Sequence, residues 1–72
     1  MKTITYRYPY CKYDGDEGWA TMDVVDALSD IGSNGKILDC VWSGEYGDDA
    51  IVTFTIEEDK VDAFNFSIEN YI

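Results

Sequence analysis

The stretch YDGDEGW, residues 13–19, gathers three carboxylates, Asp14, Asp16 and Glu17. Clustered carboxylate oxygens are what a hard cation such as calcium requires. The register is wrong for it. A calcium loop counted from Asp14 needs glycine at its sixth position and a bidentate glutamate at its twelfth, where Trp19 and Val25 stand. The expectation is a solvated acidic loop, with no metal and no cofactor. Other chemistry-bearing residues are sparse. The chain has no histidine, which removes the usual general base and the commonest metal ligand. Two cysteines, Cys11 and Cys40, make neither a disulfide framework nor a zinc set. Strand parity sets Cys40 inward and Cys11 on the opposite face, so two reduced thiols are expected. Neither has a base to activate it. Asp48–Asp49 and Glu57-Glu58-Asp59 are sequence neighbours on loops or at a helix start, where surface charge and helix capping account for them. No catalytic residue is assigned, and an enzyme is not expected.

What the chain does possess is charge. Five Lys/Arg face fifteen Asp/Glu, a net charge of −10 over 72 residues. Lys2, Arg7 and Lys12 give residues 1–12 a charge of +3, with no acid among them. Lys36 and Lys60 against all fifteen acids leave −13 on residues 13–72. Direct binding to free nucleic acid or to an anionic membrane is disfavoured, and the charge serves either solubility or the meeting of a basic partner. The length fits a single domain, residues 1–72, near the lower limit for one unaided core. Hydrophobic residues make up 46% of it, enough for that core and too patterned for disorder. No apolar run is long enough to span a membrane, and no signal segment opens the chain. The expected location is cytoplasmic, in a bacterial host.

These charges need elements to position them. Residues 2–10 alternate, with Ile4, Tyr6, Tyr8 and Tyr10 on one face, and Pro9 marks an edge strand or its end. A helix is predicted from about Ala20 to Ile31, with Gly32 as its C-cap. At 100° per residue, Thr21, Val24, Val25, Leu28 and Ile31 gather on its inner side, and Asp23, Asp26 and Asp30 form an acidic outer stripe. GSNG (32–35) is a turn. Residues 36–43 form a second strand with Leu38, Cys40 and Trp42 on one face and Ile37, Asp39 and Val41 on the other. GEYGDD (44–49) is a hairpin connection. A third strand over 50–56 sends Ala50, Val52, Phe54 and Ile56 inward. The tail fits a helix from about Glu58 to Asn70, with an apolar face of Val61, Phe64, Ile68 and Tyr71. A strand through Phe64–Ile68 is the competing pattern.

The order β-α-β-β-α predicts an α+β fold. A crossover through the first helix leaves room for the third strand between the other two, giving a three-stranded antiparallel sheet in the order 1-3-2 with both helices on one face. The segment GKILDCVWSGEYGDDAIVTFTIEEDKVDAF resembles the second half of ferredoxin-like domains, truncated before a fourth strand. That resemblance implies a fold and no function.

Candidate partner-binding residues follow from the helices. Asp23, Asp26 and Asp30 span about 10 Å at 1.5 Å per residue. One DNA strand carries a phosphate about every 3.4 Å. Glu58, Asp62 and Glu69 on the second helix raise the density toward that of a duplex, and the loop acids Asp14, Asp16 and Glu17 add to it. Phe66 stands alone on the outer side of the last helix. Ile37, Val41 and Ile51 are expected on the uncovered sheet face. In size, charge and compact α+β build the chain resembles the small acidic inhibitors that phages encode against host defence, the anti-CRISPR and DNA-mimic class. The resemblance implies that carboxylates occupy the basic groove of a nucleic-acid-binding effector. The alternative is an interaction module that uses the open sheet face for homodimerisation or for one host protein.

Overall fold

Four alternate residues of the third strand, Ala50, Val52, Phe54 and Ile56, have no exposed surface. Both other strands hydrogen-bond to this one. The computed structural model describes residues 1–9, 17–42 and 49–71, with only the backbone of 17–19. Its elements are β1 (Lys2–Tyr8), α1 (Glu17–Asp30), β2 (Ile37–Val41), β3 (Ala50–Ile56), a 3-10 turn (Glu58–Lys60) and α2 (Val61–Ile68). The sheet order is β1-β3-β2, and both pairings are antiparallel. β1 and β2 are therefore the two edges and run parallel to each other. The predicted α+β architecture is the observed one, and the tail is a helix.

The core lies between the helices and one sheet face. β1 contributes Tyr8, with Ile4 and Tyr6 half-buried beside it, as the alternation requires. Phe64 of α2 is fully buried, its ring 4.8 Å from Phe54 and 5.9 Å from Tyr6, the latter edge-on. Ile68 completes the inner face of α2, flanked by Val61 and Tyr71. Phe66 is 80% exposed, in line with its place off that face.

Two features differ from the sequence pattern. The first is the rotation of α1. Ala20, Asp23, Val24, Ala27 and Leu28 are buried, whereas Val25 is 46% exposed. The inner face is thus rotated by about 70° from the Thr21-Val24-Val25-Leu28-Ile31 stripe at 100° per residue. Two alanines with no exposed surface let the helix lie close to the sheet, and a wheel weighted by large side chains overlooks them. α1 also starts earlier, at Glu17, so Glu17 belongs to a helix and not to a loop.

The second is a β-bulge in β2. Ile37 faces Phe54 and Val41 faces Ile51, so four steps along β2 match three along β3. The extra residue reverses parity at the start of the strand. Ile37, expected outward, packs on the core beside Cys40 and Trp42. Leu38, expected inward, is 57% exposed. β2 is also shorter than the predicted 36–43, and β1 stops at Tyr8; Tyr10 and Cys11 lie outside the described residues.

Glycine sets both ends of the α1–β2 connection. Gly32 has φ +71° and closes α1: its N–H reaches the Ser29 carbonyl at 3.0 Å, and the Ser33 N–H reaches that of Leu28 at 2.9 Å. This is the Schellman pattern, which the left-handed residue makes feasible. At Gly35 the reason is contact, since a Cβ there would lie 1.8 Å from the Thr55 carbonyl oxygen. That oxygen belongs to the central strand and cannot yield. Gly35→Ala is expected to lower stability by about 3 kcal/mol, as overpacking against fixed backbone. Gly32→Ala is expected to cost about 1–2 kcal/mol for its left-handed conformation. Urea unfolding of both variants checks the order; a Gly35→Ala protein as stable as the parent contradicts the close approach.

Candidate protein-interaction surface

The acids of α1 have three different environments. Asp23 is buried at 9% exposure, where the Tyr8 hydroxyl donates a hydrogen bond to Oδ2. It is not part of an outer stripe. A carboxylate can enter a core only with such a partner, and here the partner comes from the inner face of β1. Asp30, the last residue of α1, is exposed, and Oδ2 accepts from the Tyr71 hydroxyl beyond α2. Asp26 lies between them, exposed.

Tyr71 records their convergence. Its hydroxyl is pushed up to about 12 from the usual 10.0, first by the hydrogen bond to Asp30, then by burial and the charges of Asp30, Asp26 and Asp23. The same effect is present across the seam. Tyr6 is raised by burial and by the charge of Glu69 on the C-terminal side of α2. The two helices pack against each other, with Tyr71 beside the aspartates of α1 and Tyr6 in the field of Glu69.

Glu58, Asp59 and Asp62 occupy the turn before α2 and its first turn, all exposed, where the helix N-terminus favours negative charge. Of the predicted partner-binding residues, Asp26, Asp30, Glu58, Asp62, Glu69 and Phe66 are therefore exposed on the helical layer. Asp14 and Asp16 lie outside the described residues, as does the Glu17 side chain. Among the described residues neither helix contains a base, while exposed Lys2 lies beside Glu57 and Glu58 and exposed Lys36 lines the groove beside α1. Lys60, the cation of the turn, is half-buried and engaged: Nζ donates to the Gly32 carbonyl at 2.9 Å and sits 3.9 Å from Glu57.

Glu57 ties the layer together. Its carboxylate accepts from the Ser33 hydroxyl and from the Asn34 N–H at 3.1 Å, joining the α1–β2 turn to the end of β3. Those bonds, led by the one from Ser33, lower it to about 2 from the usual 4.5.

The opposite sheet face differs in character. Thr3, Thr5 and Arg7 of β1, Ile51, Thr53 and Thr55 of β3, and Leu38, Asp39 and Val41 of β2 share it. Leu38 and Val41 are both more than half exposed, and Arg7 reaches Asp49 at 3.7 Å. Exposed Leu38 was missed from sequence because nothing local announces the bulge. A groove of about 530 Å³ runs between α1 and β2, lined by Val25, Leu28, Ile37 and Lys36 among others. It holds no acid–base pair. Among the described residues no three cysteine or carboxylate side chains gather as metal ligands, and no helix is long and apolar enough to cross a membrane.

Comparison with protein-family models, curated proteins and solved structures found no match to this chain.

Two predictions test this polar framework. Tyr8→Phe strands Asp23 without its donor and is expected to lower stability by about 1–3 kcal/mol, while Tyr71→Phe costs less because water can replace it at exposed Asp30. Replacing both buried partners, Tyr8→Phe with Asp23→Leu, should recover much of the loss; urea unfolding of the three variants is the measurement. Glu57, held below its unfolded value, stabilises the fold above about pH 4.5 and loses that contribution as pH falls toward 2. Glu57→Gln should flatten the stability curve in that window, and an unchanged acid limb would refute the assignment. Tyr71 has the reverse sign: its contribution is present below pH 10 and lost as pH rises toward 12, so Tyr71→Phe should flatten the alkaline limb.

Proposed function

We propose that this protein is a non-catalytic inhibitor whose acidic helical layer occupies the basic nucleic-acid-binding groove of a host defence effector, in the manner of anti-CRISPR or DNA-mimic proteins. One observation carries the reading. Asp26, Asp30, Glu58, Asp59, Asp62 and Glu69 are all exposed on the two helices and the turns that flank α2, and neither helix contains a base. Charge confined to one layer is what a basic groove selects, because complementary potentials steer encounter and reject wrong partners. Burial of Asp23 moves the centre of this surface from a single α1 stripe to the seam between the two helices. Phe66, 80% exposed between Asp62 and Glu69 in sequence, supplies an aromatic anchor within it.

A second reading has its own support. Leu38 and Val41 expose apolar surface on the open sheet face, beside half-buried Ile51. An interaction module docking there would use acidity only for solubility.

Two triple variants separate the readings once a bacterial partner has been captured and identified by mass spectrometry. Asp26→Lys with Asp62→Lys and Glu69→Lys spares the tyrosine-bound aspartates, so folding should survive. Under the inhibitor reading it weakens the complex by at least about 3 kcal/mol, at about 1–3 kcal/mol per desolvated charge. Leu38→Ser with Val41→Ser and Ile51→Ser should change affinity little. Binding of the parent should fall steeply as salt rises. Full-strength binding by the charge-reversed triple, with loss in the sheet-face triple, would transfer the function to the sheet.

A further inference from the structure

Among the described residues the two edges of the sheet are not equally guarded. Edge strands leave alternate N–H and C=O groups unpaired, and proteins blunt them with bulges, proline, short length or charge. β2 has five residues and a bulge at Leu38. β1 has seven, pairs with β3 in unbroken register, and has Pro9 only beyond its end. Its charges stand near its ends, at Lys2 and Arg7, with Thr-Ile-Thr-Tyr between them.

We propose that β1 is a self-association edge, pairing antiparallel with β1 of a second copy about a two-fold axis at Thr5. The sequence of the strand argues for this occupant. Only the register centred on Thr5 pairs all seven residues, and it sets Lys2 opposite Tyr8, Thr3 opposite Arg7 and Ile4 opposite Tyr6. No charge then meets a like charge. Ile4 and Tyr6, both half-buried on the helical side, form aromatic–β-branched pairs across the junction, a favoured cross-strand combination. Slips that stack Lys2 on Lys2 or Arg7 on Arg7 are penalised by repulsion and lose most of the ladder. Whole-molecule charge favours the same edge. β1 carries no acid, so the contact brings no carboxylates of the two −10 chains together, and Lys2 and Arg7 each face an uncharged residue of the other copy.

The product is a continuous six-stranded sheet in which each copy presents the same strand, the isologous arrangement of a two-fold dimer. Pairing in this register keeps both helical layers on the same side, so the acidic surface doubles in extent. The dimer itself does not rest on the inhibitor reading, because it uses neither the acidic layer nor the open sheet face.

Light scattering after size exclusion, over micromolar to millimolar protein, reads the association directly. The expected species at high concentration has twice the 8.2 kDa chain mass. Raising salt should strengthen it, since the long-range repulsion is screened while the ladder is not, the opposite of groove binding. Thr5→Lys adds a positive charge that meets its own copy across the axis, on an exposed side chain, and should weaken association by about tenfold. Circular dichroism confirms that it folds. In a Cys11→Ser, Cys40→Ser background, Thr5→Cys should oxidise readily to a cross-linked dimer and Thr3→Cys should not, because only the residue on the axis meets itself. A parent that stays monomeric throughout overturns the proposal. So does a dimer indifferent to Thr5→Lys but abolished by the sheet-face triple.

Discussion

Asp23 sits in the core because Tyr8 donates to it, and the orientation of α1 follows from that bond. A helix can rotate about its axis with little penalty while it faces a smooth apolar sheet. It cannot do so once a buried carboxylate has a single donor to reach. With Asp23 turned inward, Ala20 and Ala27 lie against the sheet, Val25 is displaced outward, and Asp26 and Asp30 are carried toward α2. The groove beside β2, with Val25 on its rim, and the acidic seam between the helices are thus consequences of one hydrogen bond. Its importance lies less in its net strength than in the cost of leaving Asp23 unsatisfied, which excludes alternative rotations.

The second anchoring point uses charge differently. Glu57 lies at the end of β3, where it draws in Ser33 and Asn34 while Lys60 closes on Gly32. Four segments meet there: the end of α1, the start of β2, the end of β3 and the start of α2. Gly35, pressed on the Thr55 carbonyl, sets how closely β2 can begin. Lys36 exchanges two hydrogen bonds with Thr55, through its N–H to the hydroxyl and its carbonyl to the N–H, both at 2.9 Å. This fixed start, together with the Val41–Ile51 pairing at the other end, leaves β2 one residue too long, and Leu38 bulges. The bulge is therefore a geometric result of the polar junction and not a property of Leu38 itself.

That distinction explains what the sequence made legible. β3 and α2 could be read because large apolar residues at period 2 and at helical spacing carry the whole signal, as in Ala50-Val52-Phe54-Ile56 and Val61-Phe64-Ile68. Sheet order followed from chain connectivity. The rotation of α1 could not be read, because its inner face depends on two alanines and an aspartate whose partner lies fifteen residues away. The parity of β2 was hidden for the same reason: a contact between Gly35 and Thr55 decides it. Asp26, Asp30, Glu58, Asp62, Glu69 and Phe66 were placed on outer faces from pattern and are exposed. Asp23 shared their helical spacing and was indistinguishable from them without the Tyr8 contact.

Solubility asks only for net charge, and spread over any surface it would serve. The exposed acids of the described chain are instead concentrated on the helical layer, with Asp39 alone on the open sheet face. Lys60 is committed to internal bonds, and Arg7 faces away on the sheet side toward Asp49. The tyrosines near the N-terminus have a related role, since Tyr8 removes one aspartate from the surface while Tyr6 lies under the field of Glu69. Crowding carboxylates along one seam raises repulsion there. A fold this small tolerates that repulsion because two of the aspartates are held by tyrosine donors, which convert part of the acidic surface into attachment between layers. Basic residues gathered on β1 and acids gathered on the helices are then two sides of one arrangement: the edge able to approach a like-charged copy is kept free of acids, and neither helix contains a base.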